Sequence, residues 1–549
     1  MIYRTLSWFI ILFACFYGIG SYPLFDDNEG LYAAVARDML KSGQFIIPHL
    51  NGVPYIEKPP MLYWLMAGSM SVFGVNEWAV RLIPALALFA TASTMQRFLT
   101  RHTHSETTGF AAALMMVTSL PLLAMGRMIM CDMIMTCFFT AALMRFYEWY
   151  TDGKKGHLLA FWAFLALTVL SKGFVTVILM GGSIGVFFLW QRTPLTQARK
   201  ILVPAGILLF FAIAAPWHIA ASLQEPGFTW FYFINEHLYR FLNIREPHDY
   251  YTGPLWYYLP RILGYLVPWT FFLWLFAAKD SVAPTYVDIK RLLWSWFGFS
   301  LLFFSISGGK ANYYMIAGMP ALIMLLALAL DKHIAEHTRL ARFVTCAGFI
   351  LILVAFGFSR LFCTASSGEF YDGCQGTSWP AVSGSVTYVF VAMVLCWRIP
   401  ERWLPPLLGA SILFLLPLLI SGVNLANGRV SQQKVAEYLN ASTHGDIAIY
   451  QEFEELSALA FYIDKPLIIV DSISNDLLYG QRQSSGQPYF MTLAQWAKYK
   501  PAIPLVVLRK RVFTVMDSLH DQHIDLKHIC ILKHIGRVAV IGQCEKGIP

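Results

Sequence analysis

Thr5-Leu6-Ser7-Trp8-Phe9-Ile10-Ile11-Leu12-Phe13-Ala14-Cys15-Phe16-Tyr17-Gly18-Ile19-Gly20-Ser21-Tyr22 carries no charge, and Leu24-Phe25-Asp26-Asp27-Asn28-Glu29-Gly30-Leu31-Tyr32 then sets three acids within four positions. An apolar run of about 20 residues is long enough to cross a bilayer. Acids directly beyond it mark the point where the chain meets water or a polar cavity. Comparable runs follow at 78–96, 107–125, 133–149, 158–175, 176–190, 201–217, 260–277, 292–307, 313–330, 343–361, 382–397 and 404–423. Thirteen spans are therefore expected, and the pair between 158 and 190 is interrupted at Lys172-Gly173. The apolar segment 60–75 is too short to span and reads as an interfacial or re-entrant helix. Composition agrees: of 549 residues 57% are hydrophobic and 13% charged, whereas a soluble domain carries about 25% charged residues. A soluble, disordered, fibrous or small disulfide-framework protein is excluded.

The formal charge of +8 points to membrane topology rather than to nucleic acid. Basic residues gather at Arg97/Arg101, Lys154/Lys155, Arg192/Arg199/Lys200, Lys279/Lys290/Arg291, Lys332/Arg339/Arg342 and Arg398/Arg402. The positive-inside rule makes those loops, and the N-terminus with Arg4, cytoplasmic. Loops 23–77, 126–132, 218–259, 308–312 and 362–381 then face outward, as does the tail from 424. No small-residue cleavage site follows Gly20-Ser21-Tyr22, so the first span reads as retained. In the tail, short β-branched runs at 447–450, 466–471, 504–508 and 537–542 alternate with helical patterns, which predicts a small α/β domain. The expected division is 1–423, a transmembrane domain with outward loops 23–77 and 218–259, and 424–549, an α/β domain outside the membrane. Cys363/Cys374 and Cys530/Cys544 would face an oxidising compartment in this topology, which allows two disulfides.

Ionisable residues beside membrane helices are the places to seek chemistry. Asp26, Asp27 and Glu29 suit either a helix N-terminus, where acids cap free amides, or a site. Glu57-Lys58, set among aromatic and proline residues, presents an acid and a base at the membrane surface; an interfacial lysine snorkelling to headgroups is the alternative. Asp132 lies between two apolar helices and needs a partner or a cavity. Lys172 reads most simply as a loop charge. Glu57, His237 and His248 form a ligand set that suits zinc, although their spacing is not a zinc signature. Arg240 and Arg245 have the planar guanidinium that clamps phosphate. Ser307-Gly308-Gly309-Lys310 places a lysine beside Tyr313 and Tyr314, which an aromatic belt also explains. There is no phosphate-cradling Gly-rich loop ending in Lys-Ser/Thr, no dinucleotide fingerprint and no nucleophile elbow, so a nucleotide-dependent pump or enzyme lacks its usual equipment.

These motifs resemble, in order, those of the polyprenyl-phosphate-sugar glycosyltransferases with the multi-span GT-C fold, related to the dolichyl-phosphate-mannose-protein mannosyltransferases. Within that group the resemblance is to the lipid A 4-amino-4-deoxy-L-arabinose transferases. It rests on the acidic motif with Ala36-Arg37-Asp38-Met39-Leu40, Pro48-His49-Leu50-Asn51-Gly52, Tyr55-Ile56-Glu57-Lys58-Pro59, Cys131-Asp132, Ser171-Lys172-Gly173-Phe174, Glu236-His237 through Arg240-Phe241, Trp256-Tyr257-Tyr258, Pro268-Trp269 and Gly309-Lys310 through Tyr314. It implies an inner-membrane enzyme, active on the periplasmic side, that moves aminoarabinose from undecaprenyl phosphate to lipid A without a nucleotide. Transfer to protein or another glycan is the second reading, and a lipid or solute transporter the third. The resemblance assigns Lys58, Arg240, Arg245 and Lys310, with Tyr32, Tyr313 and Tyr314, to the substrate and its phosphate. It assigns a divalent ion such as zinc to Glu57, His237 and His248, and catalytic acids to Asp26, Asp27, Glu29 and Asp132. One departure stands out: where the family reads Asp-Glu-Thr-Arg-Tyr, this chain has Asn28-Glu29-Gly30-Leu31-Tyr32, and Asp26 and Asp27 just upstream could supply the missing carboxylate.

Overall fold

The computed structural model describes residues 1–248, 252–277, 282–336, 339, 341–350, 352, 379–443, 445–482, 488–499, 501–521 and 528–544. The chain gathers into two compact units. One comprises Met1–Ile19, Glu57–Leu62 and Arg81–Ser421, and the other Gly20–Ile56, Tyr63–Val80 and Gly422–Pro549.

The first unit is helical and makes the protein a multi-pass membrane protein. Among the described residues five helices are long and apolar enough to cross a bilayer: Glu77–Thr103, Leu195–Gln224, Pro284–Ile306, Tyr314–His333 and Glu401–Asn424. Tyr258–Tyr265 and Trp269–Phe276 pass the same test only as a pair bent by 117°, the geometry of a broken span or a re-entrant loop. The remaining apolar runs end as shorter helices such as Ile2–Phe16, Val175–Gln191 and Val386–Cys396, or carry more charge, as Cys131–Asp152 and Lys155–Lys172 do. The run 343–361 extends beyond the described residues. Segment 60–75 forms the short helix Met61–Phe73. Cys131–Asp152 turns at Gly153, in the left-handed region, and Lys155–Lys172 packs back along it. The expected break at Lys172-Gly173 is present, and Val175–Gln191 continues beyond it against Val287–Ile306.

The second unit holds a six-stranded sheet in the order Phe490–Met491, Ile468–Val470, Ala448–Tyr450, Leu505–Leu508, Val538–Gln543, Ile529–Ile535. The first four strands are parallel and the last two antiparallel. Trp496, Leu519, Val507 and Ile541 fill its core. Cys530 and Cys544 are free thiols within hydrogen-bonding reach of each other; the disulfide that the topology allows there is not formed. Cys363 and Cys374 lie outside the described residues.

Residues of the first loop belong to this unit. Helix Asn28–Ser42 starts with Glu29 in its first turn and stops at Gly43, left-handed at the C-cap, in the usual manner of acids at the start and glycine at the end. Arg37, buried, donates to Phe461 O and Ile463 O, both at 2.7 Å. A cation thus meets free carbonyls at the end of helix Leu459–Tyr462. Asn51 brackets Leu467, donating to its carbonyl at 2.8 Å and accepting from its N–H at 2.6 Å.

Asp26, expected as a catalytic acid, is fully engaged in holding this unit together. Its carboxylate accepts from Arg537 at 2.8 Å, Gln432 at 2.9 Å and the Ala458 N–H at 3.1 Å. Burial pushes the carboxyl up to about 7 against the pull of those three donors. The folded state therefore binds this proton more tightly than the unfolded chain. Ionisation between the ordinary value near ~4 and 7 disfavours folding, so this contribution to stability falls as pH rises through that window. Asp26→Asn cannot ionise and is expected to flatten the fall in thermal midpoint between pH 4 and 7. Parallel curves for the two proteins would contradict the assignment.

Candidate active site

The polar residues of the first unit converge at one end of a cavity of about 330 Å³. Glu57 and Lys58 arrive on the short segment Glu57–Leu62. Glu236, His237 and Arg240 arrive on the wide i→i+5 turns of Trp230–Tyr239 and its continuation; such π-helical turns are frequent at functional sites. Arg245, 5% exposed, bridges the two acids: Nε donates to Glu236 at 2.5 Å and a terminal nitrogen to Glu57 at 2.7 Å. Arg240 reaches Glu236 at 3.4 Å. Lys58 stands 3.4 Å from Glu57 and 3.8 Å from Glu236. Burial alone would raise the Glu236 carboxyl, but Arg240, Arg245 and Lys58 outweigh it and hold it below the usual range. Two carboxylates against three cations leave one net positive charge facing the cavity.

A second pair adjoins the first. Asp132, in the first turn of Cys131–Asp152, accepts from Lys172, whose ammonium lies 5.2 and 5.0 Å from the Tyr313 and Tyr314 rings. Lys172 and Tyr314 both line the cavity. Lys172 is thus a site residue rather than a loop charge. A lysine wedged between two apolar runs was the available signal, since such a group needs a partner or a polar cavity. Much of the remaining lining is apolar, including Ile178, Leu179, Phe233, Phe303 and Phe304.

Glycines let these segments approach. Gly173 sits at φ +87°, and a Cβ there would lie 2.1 Å from His237 Nε2. His237 is held at that spot by the Phe174 N–H, which donates to Nε2 at 3.1 Å, and by Tyr232 O, which accepts from Nδ1 at 2.6 Å. Gly173→Ala is expected to destabilise the protein by about 1–3 kcal/mol, the usual cost of a strained backbone position. It should also displace His237, read as a lowered thermal midpoint in detergent together with lost activity; an unchanged midpoint would refute the account. A Cβ on Gly309 would meet Arg240 O at 2.9 Å, which explains the Gly-Gly before Lys310.

Other expected residues are placed differently. Lys310 is buried and donates to the Phe304, Ser305 and Ser307 carbonyls at 2.9, 2.6 and 2.5 Å. It closes the end of helix Val287–Ile306 instead of presenting its ammonium to a phosphate. Among the described residues no three His, Cys, Asp or Glu side chains are grouped to hold a metal. Glu57 is taken by Arg245, the Nε2 of His237 by the Phe174 amide, and His248 is exposed. The expected Glu57/His237/His248 set does not fit an ion in this arrangement.

In the second unit, Glu29 is buried and accepts from the Phe25 N–H at 2.9 Å, tying the chain ahead of the helix to its first turn. Tyr32 is buried 6.0 Å from the Tyr63 ring. Asp27 differs from its neighbours. It is exposed and adopts φ 66°, ψ −130°, a region that side chains other than glycine rarely occupy and that clusters at functional sites. Its backbone is clamped by Glu454 O, which accepts from its N–H at 2.9 Å, and by the Ser457 hydroxyl, which donates to its carbonyl at 2.8 Å. Partial desolvation by the surrounding chain, then the Glu454 charge, raise its carboxyl above the ordinary value.

An apolar cavity in a helical membrane protein, closed at one end by fixed cations, is equipped to take a lipid tail and the phosphate it carries. Comparison with known proteins places it. The pattern of the dolichyl-phosphate-mannose-protein mannosyltransferase family matches residues 9–232. An undecaprenyl phosphate-α-4-amino-4-deoxy-L-arabinose arabinosyl transferase of Pseudomonas fluorescens (strain Pf0-1) is 27% identical over 496 residues, covering 87% of this chain and 86% of the relative. The corresponding transferase of Aeromonas hydrophila is 30% identical over 328 residues, 58% of this chain and 59% of its own. The crystal structure of ArnT from Cupriavidus metallidurans bound to undecaprenyl phosphate superposes with a TM-score of 0.83 at 20% identity, covering 99% of this chain and 98% of that one. Fold and site define a membrane glycosyltransferase of the GT-C type. Along most of its length the chain is similar to the aminoarabinose transferases, and its residues 9–232 match the related protein mannosyltransferase family.

Proposed function

We propose that the protein resides in the bacterial inner membrane and transfers 4-amino-4-deoxy-L-arabinose from undecaprenyl phosphate to lipid A, with both the cavity and the sheet-bearing unit periplasmic. The observation that carries this reading is the cavity whose apolar wall ends on Lys58, Arg240 and Lys172. The activities named for the relatives supply the sugar and the carrier. In the reaction the bond between the sugar's anomeric carbon and the carrier phosphate oxygen breaks, and a bond to an acceptor oxygen forms. The carrier leaves as a phosphate on which negative charge has grown. Cations already fixed in a water-poor cavity stabilise that charge without reorganising. Arg245 positions Glu57 and Glu236, which in turn hold Lys58 and Arg240 toward the leaving group. Asp27 orients the acceptor and takes its proton where it has one.

The test is reconstitution of the full chain in liposomes with undecaprenyl-phosphate-linked aminoarabinose and lipid A, followed by mass spectrometry of both lipids. Lipid A should gain the mass of the sugar while the donor is converted to undecaprenyl phosphate. Donor turnover with unmodified lipid A would overturn the acceptor, and an inert donor would overturn the whole reading.

A further inference from the structure

Helix Cys131–Asp152 carries Asp132 in its first turn and Arg145 and Glu148 in its last two. Arg145 lies thirteen residues beyond Asp132, about 20 Å along the axis at 1.5 Å per residue. At this far end a second cavity, of about 380 Å³, opens between the helices. Arg97, Arg101 and Arg145 line it with a single carboxylate, Glu148. Arg101 and Arg145 both donate to that carboxylate, at 2.8 and 2.6 Å, and His157 stands 3.2 Å from it. Arg97 is exposed and, among the described residues, has no ion-pair partner. The lining therefore holds two positive charges more than it neutralises. The rest of the wall, Phe98, Ala141, Met144 and Phe164, is apolar and belongs to the same membrane helices.

We infer that this cavity binds the headgroup of an anionic diacyl phospholipid, with the phosphate on Arg97, Arg101 and Arg145 and the glycerol and upper acyl chains against Phe98, Met144 and Phe164. Arginines at a helix end commonly snorkel to bulk headgroups. Three of them converging on one recess, with an apolar wall beside them, match a held lipid instead, since basic pockets between membrane helices take acidic headgroups. A free phosphate would satisfy the arginines but would leave the apolar wall facing water. The site lies at the membrane face opposite the transfer cavity and does not depend on the transferase reading.

The experiment uses the full chain in a neutral detergent, titrated with dioleoyl phosphatidylglycerol, dioleoyl phosphatidylcholine or inorganic phosphate, with bound lipid counted by native mass spectrometry and the thermal midpoint followed in parallel. Phosphatidylglycerol should bind at one copy and raise the midpoint, and Arg97→Gln should weaken it about fivefold, the effect of one basic residue at a lipid surface. Arg97→Lys should retain most of the binding. Because Arg97 is exposed and, among the described residues, makes no ion pair or side-chain hydrogen bond, the Gln variant should unfold like the parent when no lipid is added. Equal binding of phosphatidylcholine, equal protection by inorganic phosphate, or phosphatidylglycerol binding untouched by Arg97→Gln would each overturn the proposal.

Discussion

Lys58→Met is expected to reduce the rate of sugar transfer by about 10²–10³, the range seen when one fixed charge-stabilising donor is removed from a reacting centre, or roughly 3–4 kcal/mol of transition-state stabilisation. Lys58 is singled out by how loosely it is held. Arg245 grips both acids at 2.5 and 2.7 Å, whereas the Lys58 ammonium stands at 3.4 and 3.8 Å from the same carboxylates. It lines the cavity and can turn to an arriving phosphate without breaking a short ion pair. Removing it leaves two carboxylates balanced by two arginines, so the cluster becomes neutral without stranding a carboxylate and the fold should survive. Loss of rate with an unchanged thermal midpoint is therefore the signature, measured with the donor at saturation and again below it. Activity within threefold of the parent would remove Lys58 from the leaving-group site.

The membrane architecture was legible because hydrocarbon imposes one rule on every span. Apolar runs and their flanking charges mark helices, and the interruption at Lys172-Gly173 correctly marks a break between two of them. Span number was less legible. Proline and glycine shorten or bend several runs, as in the 117° break after Tyr265, and a hydropathy window does not register where a helix ends. Nor does composition reveal that most of the first loop joins the tail. That association rests on particular contacts such as Arg37 with the Phe461 and Ile463 carbonyls.

At the site, residue type announced the charged groups but not their work. Lys310 and Lys58 look alike in sequence, each a lysine near aromatics at the edge of an apolar segment; only the three carbonyls around Lys310 separate a helix cap from a cavity cation. Asp26 and Asp27 are neighbours of one type, and partners alone distinguish them. The departure at Gly30 also acquires a reason in the fold, since a Cβ there would meet the Ala458 backbone nitrogen at 2.5 Å. A threonine at this position would push away the segment that clamps Asp27.

That clamp leads to the second large effect. Asp27→Asn is expected to slow transfer by about 10²–10⁴, the span attributed to a positioned general base, while Asp26→Asn acts on stability alone. Asp27 holds a backbone conformation that costs of order 1–3 kcal/mol, and its exposed carboxyl group is not one of the contacts that hold the unit together. A base works only when ionised. Partial desolvation and then Glu454 raise the Asp27 carboxyl, so the acidic limb of the rate profile should lie above the ordinary carboxylate range, with activity rising as pH increases through it. Glu454→Gln removes one of the two raising influences and keeps an oxygen for Ser474 and the Asp476 N–H, both of which Glu454 Oε1 now accepts. Its limb should therefore move to lower pH, whereas a purely structural lesion would lower the plateau without moving the limb. The size of the Asp27→Asn loss also bears on the acceptor: an anionic phosphate oxygen needs little proton removal, and a hydroxyl needs much. A loss near the top of the range on a hydroxyl acceptor, and near the bottom on lipid A phosphate, is the expected contrast; an Asp27→Asn enzyme as fast as the parent on both would exclude Asp27 from the reaction.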